Sequence, residues 1–349
     1  MQIQTTIIIP NYNGLAFLKP CLRALSKQTA KDFAILVVDN GSTDGSAKWL
    51  QEEGVQAIFL PENTGFSGAV NAGIQACDTP YVILLNNDTE PEPGYVEALE
   101  RAAARSERIF SVSSRMLQNG NPSLLDDAGD MYTVLGWAFQ RGTGRPEKKY
   151  RRACRVFAAC AGAAIYRRAL FDELGLFDES HFAYLEDIDI GYRARLHGYD
   201  NLYCPQAAVK HVGSGTSGSK YNSFKVRLTA RNSLYLNYKN MRSWQLFLNA
   251  PFLLLGFFVK YLFFLKRGFG EDYLAGLREG LSTLHACRRV PAFKGRLKAE
   301  IRIQFELILG TAVYVYEFFR RQAVKCSQRP ADGALQIKQP GFFKNRRES

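Results

Sequence analysis

Carboxylates that close short apolar runs are the residues of this sequence best suited to chemistry. Asp39 ends Leu36-Val37-Val38 and leads into Asn40, Gly41, Ser42 and Asp44, while Asp88 ends Ile83-Leu84-Leu85 after Asn86 and Asn87. Taken alone, Asp39 is better read as a turn or helix cap than as a chemical group, because Asp and Asn favour both positions. A second strand end of the same form turns two local features into one shared edge. Glu186, Asp187 and Asp189 stand at a predicted helix start behind Phe182-Ala183-Tyr184-Leu185. An acidic first turn complements the helix dipole, but three carboxylates beside aromatic residues also meet conditions in which burial raises a carboxyl toward the range of a working base. His211 completes the set. With Asp it offers the nitrogen and oxygen donors that suit Mn²⁺ or Mg²⁺, and by position alone the structural and ligating readings of this histidine stay equally open.

Positioning these groups requires strands that deliver them to one place. The first hundred residues alternate short β-branched runs with helical stretches, the pattern of a parallel or mixed α/β sheet. Strands are expected at Thr5 to Ile9, ended by Pro10, and at Ala34 to Val38, Gln56 to Leu60 and Tyr81 to Leu85. Helices are expected at Gly14 to Ser26, Ser46 to Glu53 and Ser67 to Ala76. Each polar cluster then follows the C-terminal end of a strand, the edge where ligands bind in open α/β sheets.

From about 105 to 160 the periodicity loosens, as in an excursion that covers a site. Order resumes at Cys160 to Tyr166. Glu186 to His197 is expected as a helix with Ile188, Tyr192 and Leu196 on one stripe, and Val212 to Lys220 (VGSGTSGSK) as a mobile Gly/Ser-rich loop.

The chain has 349 residues, enough for a large α/β domain with an appendage, and 46% hydrophobic against 22% charged residues excludes a disordered or collagen-like polymer. Its net charge of +12 is unevenly placed: residues 1–238 hold 25 Lys+Arg and 25 Asp+Glu, while 239–349 hold 20 and 8. Such asymmetry points the last third toward an anionic surface. Within it, Leu246 to Leu265 is a twenty-residue apolar stretch with Lys260 as its one charge. That length could cross a bilayer core of about 30 Å. Pro251, Asn249 and Lys260 weaken a simple span, and basic flanks on both sides assign no direction, so a re-entrant or in-plane helix fits better. Ile301 to Phe319 is a second, amphipathic stretch. Packing of both on the main domain as core helices is the alternative. Seven cysteines in no metal or disulfide spacing suit a reducing cytoplasm, and the N-terminus lacks the basic region of a secretory signal. The basic excess accompanies Leu/Phe-rich helices, so nucleic acid is a poor partner, and no GxGxxG follows the first strand, so a nicotinamide enzyme is a poor fit.

Six segments in order, IIIPNYNG (7–14), VVDNGSTDGS (37–46), ENTGFSGAVNAGI (62–74), LLNNDTEP (84–91), CAGAAIYRR (160–168) and FAYLEDIDIGYRARLHGY (182–199), resemble the motifs of glycosyltransferase family 2. They are similar above all to those of bacterial rhamnosyltransferases of cell-surface polysaccharide synthesis. The resemblance covers about residues 3 to 235. It implies an α/β fold of GT-A type, a mixed nucleotide-binding sheet flanked by helices. The expected organisation is a transferase domain over 1–238, with nucleotide-binding and acceptor halves meeting near 105, a basic helical membrane-associating region over 239–325, and a flexible tail over 326–349.

By the same resemblance, Pro10 and Tyr12 border the nucleotide, Asp39 bonds its base or ribose, and Asn63, Asn71 and Asn87 lie along the donor side. Asp88 is the last position of the family's metal-binding Asp-x-Asp motif, whose first position is here Asn86, and His211 completes the Mn²⁺ or Mg²⁺ site. Asp187 matches the catalytic base of an inverting displacement, with Glu186 and Arg231 assigned to the acceptor or to support. The implied donor is a dTDP- or UDP-sugar, with rhamnose favoured, and the implied acceptor a saccharide or lipid-linked saccharide. The implied location is the cytoplasmic face of the inner membrane, held peripherally or monotopically. Transfer to polyprenyl phosphate, or a non-catalytic sugar-nucleotide-binding scaffold, are the competing readings.

Overall fold

The structure, a computed structural model, describes residues 3–213 and 221–327. The expected Gly/Ser-rich loop falls mostly at 214–220 and the expected tail mostly at 328–349, both outside the described residues. Residues through Thr311 form one compact unit, and those from Ala312 form a second.

Apolar runs build the sheet's first half: β1 (Thr5–Asn11), β2 (Phe33–Asn40), β3 (Ala57–Leu60) and β4 (Tyr81–Leu85), joined by α1 (Leu15–Leu25), α2 (Ser46–Glu52) and α3 (Gly65–Gln75). β1 pairs in parallel with β2 and with β4, and β2 with β3. Pro10 does not end β1. It stays in register opposite Val38, and the strand runs on to Asn11, opposite Asp39, so β1 and β2 deliver their polar ends two residues further than the apolar runs alone suggest.

After β5 (Thr89–Pro91) and α4 (Tyr95–Ala103) comes β6 (Ile109–Gln118). The loose excursion expected from 105 is corrected here, because β6 is a ten-residue strand near the middle of the sheet. Its polar residues disguise it, yet three of them find partners inside the fold: Ser111 donates to Asn201 Oδ1 at 2.8 Å, Ser114 to Tyr95 at 3.1 Å, and buried Arg115 pairs with Glu147 at 3.0 Å. β7 (Asn121–Asp127), a small β8 (Asp130–Tyr132) and β9 (Ala138–Gln140) hairpin, and β10 (Cys154–Val156) follow. Then come β11 (Ala163–Arg167), α5 (Leu170–Leu174), α6 (Glu186–Leu196) and β12 (Asp200–His211). The sheet order is β10-β12-β6-β11-β4-β1-β2-β3, with β5 on β12 and β7 on β6. β11 runs antiparallel to β4 and β6, which makes the sheet mixed.

Hydrophobic cores lie on both faces. Ile7, Ile9, Ile83 and Ile165 pack with Leu18 and Leu99 on one side, and Ile8, Val38 and Leu84 with Val70, Ile74 and Ile190 on the other. The chain closes with α7 (Ser223–Asn240), which runs unbroken across the boundary expected at 238, then α8 (Ser243–Leu265), α9 (Gly270–Thr283) and α10 (Arg296–Ser327).

Candidate active site

Strand ends β1, β2 and β4 are tied by a relay of side chains. Asn87 donates to Asn11 Oδ1 at 2.7 Å, Asn11 donates to Asp39 Oδ1 at 3.0 Å, and Asp39 Oδ2 accepts from the Ser42 backbone at 3.1 Å. A side chain at residue 14 would strike the Asn87 amide at 2.1 Å, so Gly14 permits the relay. Next to it, Asn63 Oδ1 accepts from Asn40 at 3.0 Å and from the Gly65 backbone at 2.9 Å.

Above this edge lies a cavity of about 830 Å³ lined by Pro10, Tyr12, Asn63, Asn87, Asp88, Glu186, Asp187 and His211, among others. Residues from strand ends far apart in sequence are thereby brought together. Asp39 stands behind the lining, bonded to Asn11. Asn71 does not line the cavity: its amide donates to Phe177 O at 2.8 Å and to Glu179 at 2.9 Å, and its carbonyl accepts from Phe177 N at 3.0 Å. Arg231 does not line it either. Its guanidinium holds Ser180 O at 2.8 Å and His181 O at 3.2 Å, and pairs with Glu279 at 2.9 Å.

Those carbonyls precede an unusual turn. Phe182, Tyr184 and Leu185 all have positive φ, of 61°, 71° and 69°, a region that L-residues seldom occupy without support from their surroundings. Support comes from buried Asn232, whose amide reaches His181 O, Ala183 O and Tyr184 O at 2.8–2.9 Å. Across from it, Gly65 (φ +77°) lets the backbone approach so closely that a Cβ would lie 2.4 Å from Phe182 O. The turn sets the start of α6 and so aims Glu186 and Asp187 into the cavity.

Burial raises the Asp187 carboxyl to about 6, although the Ile188 and Ala161 backbone N–H groups hold it down. Burial and the neighbouring Asp187 charge push Glu186 well above the ordinary carboxylate range. At the N-terminus of α6, then, stands a carboxylate that is ionised at neutral pH yet basic enough to take a proton.

His211, at the end of β12, carries the site's second feature. Its Nδ1 meets Asp126 Oδ2 at 2.6 Å and its Nε2 faces Asp88 Oδ1 at 3.4 Å. Burial would lower the imidazole, but the bonds to Asp126 and Asp88 prevail and hold it up to about 10. With Nδ1 engaged by Asp126, Nε2 on the Asp88 side is the atom left to ligate once it loses its proton, an arrangement typical of metal-binding histidines. Asp88 and His211 therefore fit a divalent cation. The buried Asp127 and Asp130 and the half-buried Cys160 also converge, with ligand atoms within 4.8 Å of one another. Burial raises Asp127 to about 7 and drives Asp130 and the Cys160 thiol well above their ordinary values. A thiol among the donors suits a hard cation poorly, so this trio matches Mn²⁺ or Mg²⁺ less well than Asp88 and His211 do.

Asp126, Asp127, Asp130 and Asn232 were not singled out by sequence reasoning. The run Asp126-Asp127-Ala128-Gly129-Asp130 was its visible trace, and Asn232 had none.

Residues 6–175 match the model of Glycosyl transferase family 2. They form a glycosyltransferase family 2 domain. Among curated relatives, an N-acetylglucosaminyl-diphospho-decaprenol L-rhamnosyltransferase of Mycobacterium tuberculosis is 29% identical over 237 residues, covering 61% of this chain and 77% of the relative. An undecaprenyl-phosphate 4-deoxy-4-formamido-L-arabinose transferase of Pseudomonas fluorescens is 30% identical over 216 residues, covering 58% and 61%. Among solved structures, GalNAc-T7 with UDP, GalNAc and Mn²⁺ superposes with a TM-score of 0.57 at 18% identity, over 82% of this chain and 55% of that one. The mannosyltransferase PcManGT from Pyrobaculum calidifontis, in complex with GDP-Man and Mn²⁺, gives 0.50 at 13% identity over 91% and 88%. These likenesses show the fold, which is GT-A. The family 2 domain makes the chain a glycosyltransferase.

Proposed function

We propose that the chain transfers a sugar, rhamnose in the favoured reading, from a nucleotide diphosphate sugar to a hydroxyl of a lipid-linked saccharide, with inversion at the anomeric carbon. The observation that carries this reading is the joint presence in one cavity of Asp187, held near 6, and the Asp88–His211 pair. Asp187 takes the proton of the acceptor hydroxyl as that oxygen attacks. The Asn87–Asn11–Asp39 relay and Asn63 fix the edge on which the nucleotide lies. Mn²⁺ or Mg²⁺ on Asp88 and His211 would neutralise the departing diphosphate, which removes the need for an acid at the leaving group. Asn86 in place of a first Asp leaves the site one anionic ligand fewer. The Mycobacterium relative, named for rhamnosyl transfer to a lipid-linked N-acetylglucosamine, supports the acceptor class and a site of action at a membrane.

A panel of nucleotide sugars with Mn²⁺, followed by thermal shift, tests the donor, since a ligand at a hundred times its Kd adds about 2.7 kcal/mol of stability. Stabilisation by dTDP-rhamnose and transfer to a polyprenyl-diphosphate-linked saccharide is the expected result. The Pseudomonas relative, named for an undecaprenyl-phosphate transferase, favours a second reading, in which polyprenyl phosphate itself accepts the sugar. Product formation on that acceptor and not on the saccharide would establish the second reading instead.

A further inference from the structure

Helix α8 is built inside out. Its buried positions, Gln245, Asn249, Leu253, Gly256 and Phe264, recur every three to four residues or at a multiple of that spacing, and so form one stripe that includes two amides. The opposite face shows Phe247, Leu255, Phe258 and Leu262, with Phe247 86% exposed. α10 repeats the inversion over its first turns. It buries Arg296, Glu300 and Gln304 beside the apolar Ile303 and Leu307, while Ile301, Phe305, Ile308 and Leu309 face out, with Phe305 69% exposed. The polar stripes meet each other: Asn249 and Gln304 exchange hydrogen bonds of 2.9 and 2.7 Å, Trp244 donates to Glu300 at 3.0 Å, and Arg296 pairs with Glu300 at 2.6 Å. A water-exposed helix pair would carry the opposite pattern. An apolar face of this extent marks an interaction surface.

The α8 stretch is long and apolar enough to cross a membrane, yet it is fastened to the domain along its whole length. Gln245 donates to Glu300 O at 3.3 Å near its start. Midway, Trp137 donates to Gly256 O at 3.1 Å, where a Cβ would lie 2.1 Å from Leu135 O. Near its end Phe264 stacks on Tyr273 at 5.4 Å. A helix so bound, about 34 Å long at 1.5 Å per residue, cannot traverse a bilayer without dragging the sheet domain in. Exposed Arg242, Lys266, Arg267 and Lys298 lie at its ends and beside it. Two copies meeting through this face would oppose like charges, whereas anionic headgroups would complement them.

Both lips of the cavity rest on the same helix. Trp137, bonded to Gly256, precedes Ala138, Phe139 and Gln140, which line the cavity. Tyr221, set edge-on against Phe263 and Phe264 at 5.8 Å, precedes the lining residues Asn222, Phe224 and Lys225.

We propose that α8 and the first turns of α10 lie in the plane of a bilayer, half-sunk in one leaflet, and that the acceptor enters the cavity from that leaflet between the 138–140 strand and the start of α7. The entry route rests on the transferase reading, while the docking does not. The full-length protein is mixed with vesicles of equimolar phosphatidylethanolamine and phosphatidylglycerol and floated on a density gradient. The wild type is expected to float and to stay bound at high salt, because apolar insertion is insensitive to salt. Phe247→Glu with Phe258→Glu, and separately Phe305→Glu, should each weaken partitioning about tenfold or more, since each withdraws apolar area from the interface. All should keep the donor-induced thermal shift, which shows that they fold. The same variants should lose transfer to a polyprenyl-linked acceptor yet keep transfer to a short-chain soluble analogue.

Wild type that stays at the bottom of the gradient overturns the docking, and so does a stable dimer in detergent-free buffer that does not float. Equal loss on both acceptors overturns the entry route. Wild type that floats but binds no nucleotide sugar would refute the transferase reading and leave the docking standing.

Discussion

His211 sits between two carboxylates, with Nδ1 at 2.6 Å from Asp126 and Nε2 at 3.4 Å from Asp88. One carboxylate fixes the ring and the other shares its outlook on the cavity. For Nε2 to bind a cation it must first shed the proton that the pair holds up to about 10. Mn²⁺ affinity, followed by electron paramagnetic resonance without any substrate, is therefore expected to rise with pH. Without metal, the same pairing stabilises the fold fully below the ordinary histidine value near 6.5, and that contribution is lost as pH rises through about 10.

Removing the orienting partner should act through the histidine. Asp126→Asn is expected to weaken Mn²⁺ binding by about 10- to 100-fold, the usual cost of losing a carboxylate behind a ligating imidazole. Asp88→Ala and His211→Ala should each raise the Mn²⁺ needed for activity, with non-additive effects in the double variant. Full additivity would argue against one shared site.

Asp130 offers a test by neutral replacement. Its carboxyl is pushed well above the ordinary value by burial and by the charges of Asp127, Asp187 and Glu186. A carboxyl raised in the folded state destabilises the fold above its unfolded value, and the penalty fades as pH falls. Asp130→Asn should therefore melt higher than wild type at neutral pH, with the gain shrinking under acid conditions, while its Mn²⁺ affinity stays unchanged. Loss of Mn²⁺ binding in this variant would put a cation in the Asp127–Asp130–Cys160 cluster.

Asn232 carries the turn that aims Asp187. Asn232→Ala leaves three buried carbonyls without its amide and is expected to cost about 1–3 kcal/mol of stability by chemical denaturation. If the positive-φ turn relaxes as a result, kcat should fall with donor affinity unchanged. A variant with normal kcat would show that the turn holds its shape without Asn232.

Much of the site was legible because its groups stand at the ends of apolar runs. Asp88 closes β4, Glu186 opens α6 at the predicted residue, and both reach one cavity. β6 was hidden because Ser111, Ser113, Ser114 and Arg115 break its apolar run, and the partners that satisfy three of them come from distant segments. Asp126 and Asn232 were hidden for the same reason: their work is done on His211 and on residues 181–184, 85 and about 50 positions away. Asn71 illustrates the converse. Its place within a motif suggested the donor, whereas its amide and carbonyl hold Phe177. In α8, composition disclosed an apolar stretch but not which side of it was buried, since that depends on Gln304, Glu300 and Trp137.

The pH profile follows from Asp187. As a base held near 6 by burial, it should give kcat/KM an acid limb that falls with one proton below about 6 and is flat above. An acid limb near the ordinary aspartate value would mean that another group is being titrated.

Single-turnover transfer by Asp187→Asn, measured beside its nucleotide-sugar affinity, tests the central claim most directly. The amide keeps the shape of the carboxylate but cannot accept a proton, so the rate should fall by about 10² to 10⁴ while the donor binds as tightly as to wild type. Turnover at the wild-type rate would contradict the account and remove Asp187 from the reaction.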